Sequence, residues 1–264
     1  MPAALSRMPA VERMIAEYER GLVAMIDAVA PSDARRDADG GTEIGGLLGR
    51  ISAMFSGASV RRRLAASLGR RAAAGELVAQ VAWRRQVEQF VAVRPRIPEA
   101  TQAAVLERSG ETVVARKRRR DEWVDGNVAL VRSIGKDLHD QLAEVVKLAE
   151  KTGQRHEVLA KRIAERFGVA RSRARLIARD QVTKHLAQVN EAQQVAAGVT
   201  RFRWRHSGSE RSPRPEHVAR DGKIYDWKKP PPDGPPGHAI NCRCTAEPVL
   251  EDLLGPGTAA RAAS

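Results

Sequence analysis

A strictly alternating pentapeptide, R-F-R-W-R at Arg201–Arg205, constrains the fold of this 264-residue chain more than any other feature. Phe202 and Trp204 fall on one face and the three arginines on the other. This period of two is typical of a half-buried β-strand. The pentapeptide therefore predicts a strand with one face in a core.

The residues that follow predict partners for this strand. Asp221-Gly222 is a turn signal, and Lys223–Trp227 has the composition of a returning strand. Further along, Cys242, Cys244 and Ala246 alternate with polar residues, which predicts a third short strand. Together these stretches predict a small β-element whose strands are joined by turns.

The sequence upstream of this β-element has the spacing or composition of helices. Apolar residues recur at intervals of three and four over Val11–Val29, and Arg61–Val93 consists largely of good helix formers. After the prolines at 95 and 98, a helix is predicted from Glu99 through Arg120. Gly45–Ser59 is rich in glycine and serine and is predicted to be a mobile loop. An amphipathic helix is predicted from the apolar positions Val131, Ile134, Leu138, Leu142 and Val145.

These patterns predict an α+β fold, with a mainly helical N-terminal half followed by helices packed on a small β-sheet with long loops. Three regions are expected: a helical region at 1–150, a domain at 151–250 and a flexible tail at 251–264. No run approaches the roughly 18 apolar residues of a membrane span, and the N-terminus lacks the pattern of a signal peptide. Two cysteines one residue apart fit a reducing compartment, so we expect a soluble cytoplasmic chain with no membrane partner.

The positive charge is concentrated in one quarter of the chain. Residues 60–120 carry 15 basic and 5 acidic side chains, and this net charge of +10 is most of the chain's +13. Such a block favours a polyanionic partner such as DNA, because binding releases counterions. A solvated helical face is the alternative interpretation. The candidate DNA-binding residues are Arg61, Arg62, Arg63, Arg116, Lys117, Arg118, Arg119 and Arg120.

A second nucleic-acid hypothesis comes from residues 159–179. An apolar stripe through Leu159, Ile163 and Phe167, ended by Gly168 and followed by a basic helix from Ser172, has the layout of a helix-turn-helix. This pair makes a DNA-binding regulator an alternative function. An ordinary helical hairpin with exposed arginines has the same pattern.

His217, His238, Cys242 and Cys244 are candidate zinc ligands by residue type. Zinc–sulfur bonds of about 2.3 Å require sulfurs less than about 4 Å apart. Alternate residues on a flat strand are about 6.6 Å apart, so chelation by Cys-x-Cys needs a bend or a bulge. We therefore expect no cofactor and interpret the thiols as buried packing side chains. Zinc remains the alternative.

A metal-dependent nuclease is a further alternative, with His217 as general base beside Glu216 and Asp221. No nucleophile is flanked by a glycine-rich elbow, and no second histidine stands at a fixed motif spacing. We therefore expect that the chain is not an enzyme.

The ordered motifs of the C-terminal half resemble the C-terminal domain of the phage Mu F-like minor head proteins, the head-morphogenesis family of tailed phages. The resemblance covers Leu159–Pro248. One departure is Ala178-Arg179-Asp180-Gln181, where such proteins often have Arg-Thr-Glu, so any role tied to that Glu is in doubt here. The residues that carry the resemblance are Trp204, Arg214, Glu216, His217, Asp221, Gly222, Asn241, Cys242, Arg243 and Cys244.

The resemblance implies a minor capsid protein of a tailed phage or prophage. Such a protein acts inside the head near the portal, in procapsid assembly and in DNA packaging or ejection. Its implied partners are the portal protein, capsid and scaffold proteins and packaged DNA. Its implied location is the capsid interior of the virion, with the host cytoplasm as its location during assembly.

Overall fold

The computed structural model describes residues 8–30, 40–93, 98–107, 111–208 and 214–254. It confirms the predicted α+β class, a mainly helical chain with one small sheet. No helix in these segments is both long and apolar enough to cross a membrane. The elements are α1 (Pro9–Asp27), α2 (Gly40–Ser56), α3 (Ala58–Ala92), α4 (Glu99–Glu107), α5 (Val113–Thr152), α6 (His156–Ala196), β1 (Arg201–Arg205), α7 (Pro215–Ala219), β2 (Ile224–Asp226), β3 (Thr245–Pro248) and a 3₁₀ helix (Leu250–Leu253).

The chain divides into two compact units, each assembled from segments far apart in the sequence. The first comprises Met1–Met14, Arg71–Arg120 and Asp180–Ser264, and the second comprises Ile15–Arg70 and Asp121–Arg179. The boundaries predicted at residues 150 and 250 stay predictions. Of the tail predicted at 251–264, Leu253 and Leu254 are buried, and residues 255–264 lie outside the described segments.

The second unit is a helical core. The predicted α5 stripe is confirmed, because Val131, Ile134, Leu138, Leu142 and Val145 are all buried. Tyr18 on α1 is 2% exposed, and its hydroxyl donates a hydrogen bond to Oδ1 of the buried Asn127, at 3.1 Å. This bond satisfies two polar groups that would otherwise be costly to bury.

The prediction of a mobile loop over Gly45–Ser59 is wrong, because α2 runs through most of it. Leu47, Ile51 and Phe55 are spaced by four residues and all three are buried. This spacing aligns them on one face of a helix. Burial of the stripe therefore outweighs the low helix propensity of the glycines.

The single helix predicted from Glu99 through Arg120 is also wrong, because α4 ends at Glu107 and α5 begins at Val113. Thr112 supplies the new start. The backbone N–H of Ala115 donates to Oγ1 of Thr112 at 3.2 Å, as in an N-cap. Residues 108–110, between the two helices, lie outside the described segments.

The helix-turn-helix predicted at 159–179 does not form, because α6 is one helix from His156 to Ala196. A Cβ built on Gly168 meets nothing within 4 Å, and one glycine costs a helix only about 1 kcal/mol. The buried residues Phe167, Ala170 and Ala174 continue one face across this point. No turn separates two helices here, so this correction removes the structural basis of the regulator hypothesis.

The sheet belongs to the first unit and has the order β2-β1-β3, with both pairs antiparallel. The prediction for β1 is confirmed, since Phe202 and Trp204 are fully buried. The predicted turn and return strand are confirmed as well, with Gly222 at a φ of 78°. The third strand begins only at Thr245, so Cys242 and Cys244 lie in the loop before it. Their predicted place on a strand is therefore wrong.

Side chains of α6 and of the 3₁₀ helix hold the sheet. Asn190 and Gln194 both donate their side-chain N–H to the carbonyl of Ala246, at 2.8 and 2.9 Å. Asp252 accepts backbone N–H bonds from Thr200 and Arg201 at the start of β1, at 3.0 and 2.9 Å. Side chains of α6 thus hold β3, and a side chain of the 3₁₀ helix holds the start of β1.

Candidate functional site

One imidazole and two thiols form a buried cluster beside the sheet. His217 lies on α7, and Cys242 and Cys244 lie in the loop before β3; these residues are 3, 3 and 5% exposed. Nδ1 of His217 is 3.4 Å from Sγ of Cys242 and 3.6 Å from Sγ of Cys244. The three atoms all lie within 4.8 Å of one another, and no comparable group of three occurs elsewhere in the described segments.

The other side of the imidazole faces a carboxylate. Nε2 of His217 lies 2.8 Å from Oδ2 of Asp233, and Arg220 donates to Oδ1 of the same group at 2.6 Å. Burial alone would raise the pKa of Asp233, but the hydrogen bonds from His217 and Arg220 hold it below its ordinary value. An ionised carboxylate only accepts hydrogen bonds, so Nε2 carries the ring hydrogen. Nδ1 then presents its lone pair to the two sulfurs.

Trp204 forms a wall of this cluster. Its ring meets the His217 ring edge-on, with centroids 5.0 Å apart. The guanidinium carbon of Arg220 lies 5.0 Å from the Trp204 ring centroid, a cation–π contact. The indole therefore packs against both the histidine and the arginine that fixes the partner carboxylate.

The loop that carries the cysteines bends at two unusual backbone positions. Asn241 has a φ of 56°, and Gly237 has a φ of 87°. The N–H of Gly237 donates to Sγ of Cys242 at 3.3 Å, and the N–H of Asn241 donates to Oδ1 of Asp180 at 2.7 Å. This bend brings the sulfurs towards one nitrogen, which a flat strand would prevent.

The two thiols titrate differently although they are neighbours. A hydrogen bond from Cys244, together with the Gly237 N–H, lowers the pKa of Cys242 to about 5 against the opposing effect of burial. The same hydrogen bond, with burial, raises the pKa of Cys244. Cys242 is therefore the sulfur that carries negative charge most readily.

The other motif residues surround the cluster without joining it. Arg214 donates to the carbonyl of Ile240 at 2.8 Å, and Asp221 accepts the N–H of His206 at 2.9 Å. Glu216 and Arg243 are exposed. His217 is bonded to Asp233, and the described contacts do not bring it together with Glu216 or Asp221 as the nuclease hypothesis requires.

Three of the four candidate metal ligands come together, and His238 does not. Nε2 of His238 lies 3.0 Å from Oε2 of Glu191. Sequence reasoning missed Asp233 and Gly237, and it left Asp180 in doubt. A lone Asp in a Pro-rich loop carries no spacing signal. Asp180 lies in the stretch Ala178–Gln181, where the sequence departs from the Arg-Thr-Glu of the family it resembles.

The candidate DNA-binding residues lie in both units. Arg61, Arg62 and Arg63 are exposed on α3, in the second unit. In the first unit, Arg119 and Arg120 pair with Glu76, which is 3% exposed. Two charges of the 116–120 run therefore neutralise a buried carboxylate of the protein itself.

Comparison with known proteins concerns the same C-terminal region. Residues 136–247 match the profile of the family described as "Phage Mu protein F like protein". This match falls on the region that carries the resemblance and confirms it.

A curated relative from Haemophilus influenzae (strain ATCC 51907 / DSM 11121 / KW20 / Rd), titled "Uncharacterized protein", is 35% identical over 128 residues. The alignment covers 48% of this chain and 28% of that protein. The chain thus aligns with little more than a quarter of the relative's length. No solved structure matches the chain.

Proposed function

We propose that this chain is a minor capsid protein of a tailed phage or prophage, acting inside the head near the portal. Procapsid assembly and DNA packaging or ejection are its proposed roles, with the portal, capsid and scaffold proteins as partners. The observation that carries this proposal is the family match over residues 136–247, because the family is one of phage head morphogenesis proteins.

We assign the chain a structural role in this process. The cluster at His217 is enclosed by Trp204, and its three side chains are at most 5% exposed. A substrate would therefore have to displace the wall or the loop to reach them. This burial supports a part in holding the domain together, with catalysis excluded from the proposal.

Contact with packaged DNA is part of the proposal and rests on charge. Arg61–Arg63 are exposed on α3, whereas Arg119 and Arg120 are engaged with Glu76. The proposed DNA contacts are therefore Arg61–Arg63 in the second unit and, separately, the exposed Lys117 and Arg118 in the first unit. Nonspecific binding of this kind depends on charge and weakens with salt.

Co-purification with the portal protein encoded by the same genome tests the partner. The full chain and the portal protein are co-expressed, and the portal rings are isolated by size and then probed for the chain. We expect the chain to remain with the rings at moderate salt. Its complete separation from portal rings, and from capsid and scaffold proteins under the same conditions, would contradict the proposal.

A strongly basic chain can also bind rings through charge alone, so a control is needed. Arg61–Arg63→Gln removes three positive charges and leaves the matched family region at 136–247 unchanged. We expect this variant to bind the portal as the unaltered chain does. Loss of binding in the variant would show that charge, not the family region, causes the association.

A further inference from the structure

The cluster of His217, Cys242 and Cys244 brings one ring nitrogen and two sulfurs within 4.8 Å of one another. Nε2 of His217 donates to Asp233, so Nδ1 has one lone pair in the ring plane. Two sulfurs approach this one lone pair, at 3.4 and 3.6 Å. A single lone pair accepts one good hydrogen bond, so the two thiols cannot both donate to Nδ1.

A metal ion among the three atoms would satisfy all of them. Tetrahedral zinc, with bonds of about 2.3 Å to sulfur and about 2.0–2.1 Å to nitrogen, holds its nitrogen and sulfur ligands about 3.5 Å apart. The two observed nitrogen–sulfur distances lie on either side of this value. The nitrogen of His217 thus already stands from each sulfur at about the separation that zinc requires.

The surroundings of the cluster also match those of a metal site. A histidine that binds metal through one nitrogen commonly donates its other N–H to a carboxylate, which fixes the ring, and Asp233 holds this position. The Gly237 N–H donates to Sγ of Cys242, so that sulfur is an acceptor, as a thiolate ligand must be. Cys242 and Cys244 also line a small cleft together with Thr183 and Asn190, and this cleft has room for one water molecule.

We propose that His217 Nδ1, Cys242 Sγ and Cys244 Sγ bind one zinc ion, with water as the fourth ligand and Asp233 as the residue that orients His217. The ion would join α7 to the loop before β3, and so would link the two segments that pack beside the sheet. Binding of zinc releases thiol protons, because the ligands are thiolates. This site is independent of the capsid role proposed above, so either proposal can fail without the other.

The decisive measurement uses the full unaltered chain. The protein is purified without added chelator, its zinc content is determined by elemental analysis, and the metal-free protein is then titrated with Co²⁺. We expect about one zinc per chain and visible Co²⁺ absorption bands of a tetrahedral site with thiolate ligands. Chelator should also lower the melting temperature.

Variants then assign the ligands. His217→Gln, Cys242→Ser and Cys244→Ser should each abolish the Co²⁺ bands, whereas Asp233→Asn should weaken metal affinity by about 10- to 100-fold. His238→Gln is the matched control and should bind metal like the unaltered chain, since His238 contacts Glu191 instead. A His238→Gln variant that lost the metal would overturn the ligand assignment.

A ligand variant can also fail to fold, so the unaltered chain carries the test by itself. If it contains no zinc as purified, and if the metal-free chain gives no Co²⁺ bands, the proposal is overturned. The cluster would then be a packing arrangement of a histidine with two thiols.

Discussion

Two glycines on α5 should respond in opposite directions when they are replaced by alanine. Gly126 is exposed, and a Cβ built there meets nothing within 4 Å. A Cβ on Gly135 would lie 2.2 Å from Cγ and 2.3 Å from Cβ of Phe55, although carbon atoms in contact are normally about 3.5–4.0 Å apart. The position of the Phe55 Cβ is set by its backbone, so a change of rotamer cannot relieve this contact.

The expected magnitudes follow from these distances. Replacing glycine by alanine inside a helix stabilises it by about 1 kcal/mol, and Gly126→Ala should gain about this much. Gly135→Ala brings the same gain in helix propensity, but it forces α2 and α5 apart. The separation must grow by more than about 1 Å before the new Cβ reaches a normal carbon–carbon contact distance from Phe55. Overpacking costs about 1–3 kcal/mol, and here we expect the upper end. Gly135→Ala should therefore lower the free energy of unfolding by about 2 kcal/mol.

Urea unfolding followed by far-ultraviolet circular dichroism measures both variants against the unaltered chain. The two positions share one helix and one compact unit, so the comparison uses the same unfolding transition. The midpoint should rise for Gly126→Ala and fall for Gly135→Ala. Equal stabilisation by both would refute the close packing of α5 on Phe55.

Three further results are expected. Burial lowers the pKa of His185 from 6.5 to about 4, so the stability that neutral His185 permits is complete above pH 6.5, and about 3 kcal/mol of it is lost as pH falls towards 4. His185→Gln should flatten this loss in acid unfolding curves, and an equally steep loss in the variant would refute the assignment to His185. Arg61–Arg63→Gln should reduce the slope of log DNA affinity against log salt by about 2–3, while the lysine version keeps it; equal slopes in filter-binding assays would refute the DNA contact. Asp180→Asn keeps the shape but weakens both the hydrogen bond from Asn241 and the ion pair with Lys184, so thermal melts should show a loss of about 1 kcal/mol in stability, and an unchanged melt would show that both contacts are dispensable.

The elements that could be predicted from sequence are those whose burial pattern is local. The alternation at Arg201–Arg205 and the α5 stripe from Val131 to Val145 both appear as buried faces. In each case one face meets a core along its whole length, so the sequence must repeat with the period of the element. Such patterns need no knowledge of the rest of the fold.

The elements that were missed depend on competition between local preference and tertiary burial. Glycine at 168 and the glycines before Leu47 have low helix propensity, yet apolar residues at intervals of three or four outweigh them. The cysteines illustrate the reverse case. Their alternation has the period of a strand, but the bend at Gly237 and Asn241 takes them out of the sheet.

The residue types of the cluster were predictable, whereas its geometry was not. His217, Cys242 and Cys244 are conspicuous because cysteine is rare in this chain. Asp233 is one of several acids in polar loops, and only the fold brings it to Nε2 of His217. Which histidine joins the thiols is decided by α7 and the sheet, and so His238 could not be excluded from sequence.

The most direct test of the proposed function is quantitative mass spectrometry of purified heads and procapsids produced from the genome that encodes this chain. If the chain is a minor capsid protein, its peptides should be found in both kinds of particle, at low copy relative to the major capsid protein. Nuclease treatment of the intact particles before analysis removes chain that is bound to external DNA. Absence of the chain from both heads and procapsids would contradict the proposal.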